Sequence, residues 1–158
     1  MFQKILVVCL GNICRSPVGE GFLKEYFFKT GQNHRQVTSA GIAAVVDAPA
    51  SPHSITVMKN RGIDISSHVA RQLTHEMMIE HDLVLVMELD QKKFLEQRFP
   101  FSRGKVQVLG RFQNRDIEDP YLKPIEAFEV MTTQVDNYLK DWIKHCWAEK
   151  NEAKAKIE

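Results

Sequence analysis

The chain has 158 residues, 44% of them hydrophobic, with 21 basic against 20 acidic side chains and a formal net charge of +1. This is the length of a single domain, 1–158, with a substantial core; the near-neutral balance excludes a broad nucleic-acid or membrane-surface footprint, so any anion site must be local. Three cysteines without paired C-x-x-C spacing and six histidines without ligand spacing argue against a disulfide scaffold or metal site, and no apolar run approaches the ~20 residues of a membrane span, so no membrane insertion and a soluble cytoplasmic protein are expected.

Ile5-Leu6-Val7-Val8 is a continuous apolar run of strand length, the pattern of a central strand covered on both faces. Cys9-Leu10-Gly11-Asn12-Ile13-Cys14-Arg15-Ser16-Pro17 follows, with turn residues in its middle and Ser16-Pro17 suited to serve as N-cap and first helical residue. Val18, Phe22, Leu23, Tyr26 and Phe27 then step by three and four residues, which predicts an amphipathic helix ending near Thr30-Gly31. Gly19 and Gly21 each cost that helix about 1 kcal/mol relative to Ala, so either packing compensates or the backbone there approaches something closely. Val37 to Gly41 predicts a second, shorter strand, and Ser51-Pro52 caps a helix running through Ile55 and Met58 to a stop at Gly62. Ser66 to Gln72 reads as a loop, after which Thr74 caps a short helix. Asp82 to Met87 is the second strong buried-strand run, Phe94, Leu95 and Phe99 suggest a helix, and Val106 to Leu109 supplies a fourth strand. A polar loop, Arg115 to Tyr121, leads to a long helix from just after Pro124, with Ile125, Phe128, Met131, Val135, Leu139, Trp142 and Cys146 on one face. A polar tail from about residue 148 is expected to fray.

Strands alternating with helices imply an α/β fold: a small doubly wound domain with a four-stranded parallel sheet and helices on both faces, joined by right-handed crossovers. Ligands of such sheets lie beyond the carboxyl ends of the strands, where the Cys9 loop leaves the first strand. C-x5-R is by itself a loose pattern, and a Cys that closes a buried strand is ordinarily a small hydrophobe. Here the strand before it, the turn within it and the helix after it make a phosphate loop. Inward N–H groups form a nest, the helix adds the positive end of its dipole, and Arg15 offers two parallel hydrogen bonds to phosphate oxygens. A thiolate at Cys9 is favoured by the same field. Attack by that thiolate on phosphorus requires a proton donor for the departing oxygen, and Asp119 in Asp119-Pro120-Tyr121 is the candidate.

The string CLGNICRSP resembles the active-site loop of the low-molecular-weight protein tyrosine phosphatases, and Asp119-Pro120-Tyr121 is similar to the general-acid loop of the same family. The resemblance covers nearly the whole chain. It implies a cytoplasmic tyrosine phosphatase that uses no metal or other cofactor and passes through a cysteinyl-phosphate intermediate. Cys9 would be the nucleophile, Arg15 the transition-state clamp, and Asp119 the acid and then the base. Leu10, Gly11, Asn12, Ile13 and Cys14 would bind phosphate, while Ser16 steadies the departing Cys9 thiolate. Ser39 and His68 match the family's supporting polar network, and Tyr121 and Val45 fall at the pocket walls. Ile42 to Val46 looks like the bacterial exopolysaccharide-associated branch, whose partners are phosphotyrosine proteins, the tyrosine autokinases of capsule or exopolysaccharide export. Gly19 and Gly21 depart from that pattern, where small but helix-favouring residues are more usual. An arsenate reductase on the same fold is the nearest alternative, but it needs redox thiols beyond Cys14, and the only later one is Cys146. A phosphotyrosine-binding module without turnover would be favoured if Cys9 or Asp119 were replaced, and both are present. For Cys14 two readings stay open, a reversible disulfide with Cys9 and a packed, inert thiol.

Overall fold

In a computed structural model that describes residues 1–148, the apolar run near the N-terminus is strand β1 (Lys4–Cys9), buried from Ile5 onward. It pairs in parallel with β2 (Gln36–Gly41) on one side and β3 (Leu83–Val86) on the other, and β4 (Val106–Val108) adds beyond β3. The strand order is therefore β2-β1-β3-β4. The chain winds outward from β1 to β2, then crosses back to β3. The switch point lies between β1 and β3, and the crevice at their carboxyl ends is where such sheets bind ligands.

Alternation along β1 divides the core in two. Ile5, Val7 and Cys9 face α1 (Arg15–Lys29), α2 (Pro52–Asn60) and α5 (Ile125–Trp142), packing with Val18, Leu23, Met58, Phe128 and Val135. Leu6 and Val8 face α3 (His75–Glu80) and α4 (Leu89–Arg98) through Met78 and Leu95, in a cluster shared with Val106 of β4. Helices thus cover both faces, and the hydrophobic strands are dry on each side. Among the described residues no helix is long and apolar enough to cross a membrane. The polar tail expected from about residue 148 lies outside the described residues.

Three local readings need correction. Helix α1 begins at Arg15, with Cys14 in the cap position and no side-chain cap, because the Ser16 hydroxyl is engaged with Asn12 and Cys9 instead. Ser51 likewise makes no side-chain cap bond; Pro52 at the first helical position starts α2 without it. Thr74 does cap α3, accepting from the Met77 N–H. The last α-helix ends at Trp142 and continues as one π turn, Ile143–Trp147, so Cys146 lies on that turn. The wider turn rotates Trp147 into the core, edge-on to Phe27 at 5.3 Å, with its ring N–H donating to the Met1 carbonyl at 3.2 Å.

The two glycines of α1 are explained by close approach. A Cβ on Gly19 would lie 3.0 Å from Val7 Cγ1, and one on Gly21 would lie 2.9 Å from Ile65 Cγ2 and 3.1 Å from Met58 Cε. Bare backbone lets α1 rest directly on β1, which fixes the helix start against the strand end. Gly19→Val is expected to destabilise the protein by about 1–3 kcal/mol through overpacking, read from the urea midpoint of unfolding. An unchanged midpoint would show that α1 can lift off the sheet freely.

Candidate active site

The backbone of the loop from Cys9 to Cys14 is held through its carbonyls. Cys9 O accepts from the Ile42 N–H, Leu10 O from Ala43, Gly11 O from Val45 and Ile13 O from Ser51, at 2.7–3.0 Å. Asn12 O faces His68 Nε2 at 2.7 Å, and Cys14 O accepts from the Ser54 hydroxyl at 3.1 Å. Six consecutive carbonyls are thereby drawn outward. None of the N–H groups of Leu10 to Arg15 donates to an acceptor among the described residues. Such a ring of free donors at a helix N-terminus is an anion-binding nest.

Asn12 is the keystone of this turn, fully buried at φ +58° in the left-handed region. Its Oδ1 accepts from the Arg71 backbone N–H at 2.9 Å, which fixes the amide orientation. The Nδ2 group must then donate to Ser16 Oγ at 2.7 Å and Ser39 Oγ at 3.0 Å. With its lone pair taken by Asn12, the Ser16 hydroxyl is free to donate to Cys9 Sγ, 3.0 Å away. His68 must carry a proton on Nε2, since a carbonyl only accepts. Ser39 and His68 therefore both reach Asn12, and Arg71 joins them with its Nε donating to Ser39 O at 2.9 Å.

A cavity of about 220 Å³ opens in front of the loop, lined by Cys9, Gly11, Cys14, Arg15, Asp119 and Tyr121, with Leu10 and Ile13 beside them. Val45 is exposed and forms the opposite wall with Ala43, a residue that carried no signal in the sequence. Arg15 is almost wholly buried. Its Nη1 donates to Ile117 O at 2.8 Å and lies 3.2 Å from Glu88 Oε1, while Nη2 lies 3.6 Å from Asp119 Oδ2. Its Nε–H is buried with no partner among the described residues, a donor that an anion in the nest would satisfy. Asp119 is half-buried and accepts the Tyr121 N–H on its other oxygen at 3.1 Å, so the Pro120 turn presents carboxylate and ring to the same space.

Glu88 was missed by the sequence reading, although it directly follows the apolar run of β3 and its Met87. A carboxylate at that strand end faces the switch-point crevice, which is the signal that could have found it. Burial pushes the Cys14 thiol from 9.0 up to about 12, helped by the negative Asp119 and Cys9. All three cysteines are free thiols. Among the described residues there is no group of three or more His, Cys, Asp or Glu side chains that could hold a metal ion.

Residues 4–153 match the family model of the low molecular weight phosphotyrosine protein phosphatases. The chain is 40% identical over 146 residues to the low molecular weight protein-tyrosine-phosphatase Ptp of Acinetobacter johnsonii, spanning 91% of this chain and 98% of that one. It is 41% identical over 143 residues to the probable low molecular weight protein-tyrosine-phosphatase EpsP of Ralstonia solanacearum, spanning 90% and 95%. Among solved structures, Vibrio vulnificus Wzb in complex with benzylphosphonate matches with a TM-score of 0.85 at 38% identity, over 92% and 99% of the two chains.

The raised Cys14 value has a direct readout. The folded thiol holds its proton more tightly than the unfolded one, so its contribution to stability is complete below about pH 9 and is lost as pH rises towards 12. At pH 8 Cys14 is expected to resist iodoacetamide in the folded protein and to react once urea unfolds it, followed by peptide mass. Rapid modification of Cys14 in the native state would contradict this account.

Proposed function

Because this chain belongs to the low molecular weight phosphotyrosine protein phosphatase family and is a protein-tyrosine phosphatase related to bacterial Ptp, EpsP and Wzb, we propose how it works and on what: it hydrolyses phosphotyrosine through a cysteinyl-phosphate intermediate, in the cytoplasm, on a tyrosine autokinase of capsule or exopolysaccharide export. Residues 1–158 constitute one domain of this kind. What carries the reading is that Cys9, Arg15 and Asp119 line one small cavity behind which the loop's amides are free.

The phosphoryl group sits in the nest, its oxygens taking the N–H groups of the loop and the Nε and Nη2 donors of Arg15. Cys9 Sγ attacks phosphorus from the loop side, a P–S bond forms and the P–O bond to the tyrosine ring breaks. Asp119 gives its proton to the departing phenolate. In the second step Asp119 takes a proton from water, the resulting hydroxide attacks phosphorus, and the thiolate leaves, stabilised by the Ser16 hydroxyl. Inorganic phosphate is the product. Leu10, Gly11, Asn12, Ile13 and Cys14 supply backbone to the phosphate; Tyr121 and Val45 flank the aromatic ring; Ser39 and His68 act only through Asn12.

The arsenate reductase alternative finds no support in the thiols. Cys146 feels the Met1 amino group and Arg35, at the amino end of β1, whereas Cys9 closes its carboxyl end. Six residues of strand at about 3.3 Å each put roughly 20 Å between the two ends.

The acid and the nucleophile are tested together. With aryl phosphates of graded leaving-group pKa, Asp119→Ala is expected to slow basic phenols by about 10²–10⁴-fold and acidic phenols much less. Cys9→Ser should abolish turnover while still binding phosphotyrosine peptide, since nest and guanidinium remain. An equal loss across the series would mean that Asp119 shapes the pocket without giving up a proton, and an active Cys9→Ser enzyme would end the covalent mechanism.

A further inference from the structure

Next to Glu88 and Ile117, which both contact Arg15, runs a second groove of about 580 Å³, lined by Leu89, Lys92, Gln107, Arg111, Arg115 and Asp116. The overall charge of the chain is close to zero, yet this groove gathers three cations against one carboxylate. Asp116 Oδ1 accepts the Leu89 N–H at 3.0 Å, which ties that carboxylate to the start of α4. Lys92 has a loose contact of 3.8 Å with Glu96, and Arg111 donates to Gln107 at 3.2 Å with its guanidinium over Phe112. Arg115 is exposed and its side chain has no partner among the described residues.

The two arginines are held by a tight turn rather than by a free loop. Gly110 O accepts from the N–H groups of both Gln113 and Arg115 at 3.1 Å, and Asn114 closes the turn in the left-handed region at φ +54°. A Cβ on Gly110 would lie 2.1 Å from Arg115 O, so only glycine lets the turn close this far. The same strand of chain then runs into the active site. Ile117, two residues beyond Arg115, donates its N–H to Met87 O and accepts from Arg15 Nη1 on its carbonyl. Leu89 of the groove is the neighbour of Glu88, which contacts Arg15. Groove and cavity are thus linked through two short segments.

We propose that this groove receives an acidic stretch of the phosphoprotein that flanks the phosphotyrosine, Asp or Glu carboxylates pairing with Arg115, Arg111 and Lys92. The inference rests on the phosphatase reading and adds the substrate class that the site selects. A phosphotyrosine inserted into the cavity must carry its neighbouring residues across the rim. Towards the segments of Glu88 and Asp116 they meet the groove's cations, and at the wall of Val45 and Ala43 only apolar side chains. Exposed pairs of this sort are individually modest and sensitive to salt, so they tune selection among peptides without altering the chemistry.

The test compares two phosphotyrosine peptides that differ only by Glu or Gln at the flanking positions, with p-nitrophenyl phosphate as a substrate that has no flanks. Wild-type enzyme is expected to favour the Glu peptide in kcat/KM by roughly two- to fivefold for each engaged charge, the preference shrinking at high salt. R111Q/R115Q should remove most of that preference and leave turnover of p-nitrophenyl phosphate unchanged. K92Q, on the separate element α4, should remove a smaller part, so the outcome does not hang on the arginine turn alone. Equal kcat/KM for the two peptides in wild type, or a preference that survives in both variants, would overturn the groove's role. Wild-type enzyme inert towards p-nitrophenyl phosphate would overturn the phosphatase reading instead.

Discussion

Everything at the active site depends on the outward pull on six successive carbonyls, Cys9 to Cys14. A loop of this curvature left to itself would seek partners for its own amides, or would straighten into the next turn of α1. Instead the segment after β2 takes up Cys9, Leu10, Gly11 and Ile13 through its N–H groups, Ser54 takes Cys14, and His68 takes Asn12. Each bond contributes only about 0.5–1.5 kcal/mol net, but together they hold a residue at φ +58° that would relax on its own. The unpaired amides are the consequence. Such a concave set of donors costs the fold stability and is retained only because other elements over-determine it.

The parallel sheet supplies the second requirement, which is convergence. Strand order β2-β1-β3-β4 brings the carboxyl ends of β1 and β3 side by side, so a residue just past one strand meets a residue just past the other. Arg15 and Glu88 meet in this way across 73 positions of sequence. A guanidinium this deeply buried would be costly without partners, and the Ile117 carbonyl, Glu88 and Asp119 share its charge. The same contacts fix the loop that carries Asp119, since Ile117 is bonded both to Arg15 and to Met87.

Much of this architecture was legible in the residue order because the relevant signals are local. The apolar run of β1, the three- and four-residue steps of α1 and α5, and the punctuation by Pro52 and Thr74 all specify element and face. Cys9, Arg15 and Asp119 stood out because few side chains perform that chemistry. What escaped the sequence were interactions whose partners are distant. Ser16 reads as a helix cap until Asn12 and Cys9 are seen to claim its hydroxyl. Glu88 carries no motif of its own in the sequence; in the fold its N–H donates to Gln91 at the start of α4 and its Oε1 lies 3.2 Å from Arg15. The π turn was invisible because the apolar steps continue through Cys146 whether the helix has a normal or a widened turn. Gly19 and Gly21 looked like defects, and become intelligible only when Val7, Met58 and Ile65 are found pressing on the helix.

The divided coordination of Arg15 has a bearing on how the catalytic cycle closes. In the mechanism proposed above, inorganic phosphate must depart from the nest before another phosphotyrosine enters. A guanidinium free on all its edges would grip the product as firmly as the transition state. Here one nitrogen is already committed to a carbonyl and a carboxylate, and a second faces Asp119, which holds the proton taken from water when phosphate forms and repels the anion once that proton is given up. The two acids that steady the arginine therefore also limit how long the spent phosphate stays, and the site is set to exchange its occupant rather than to store it.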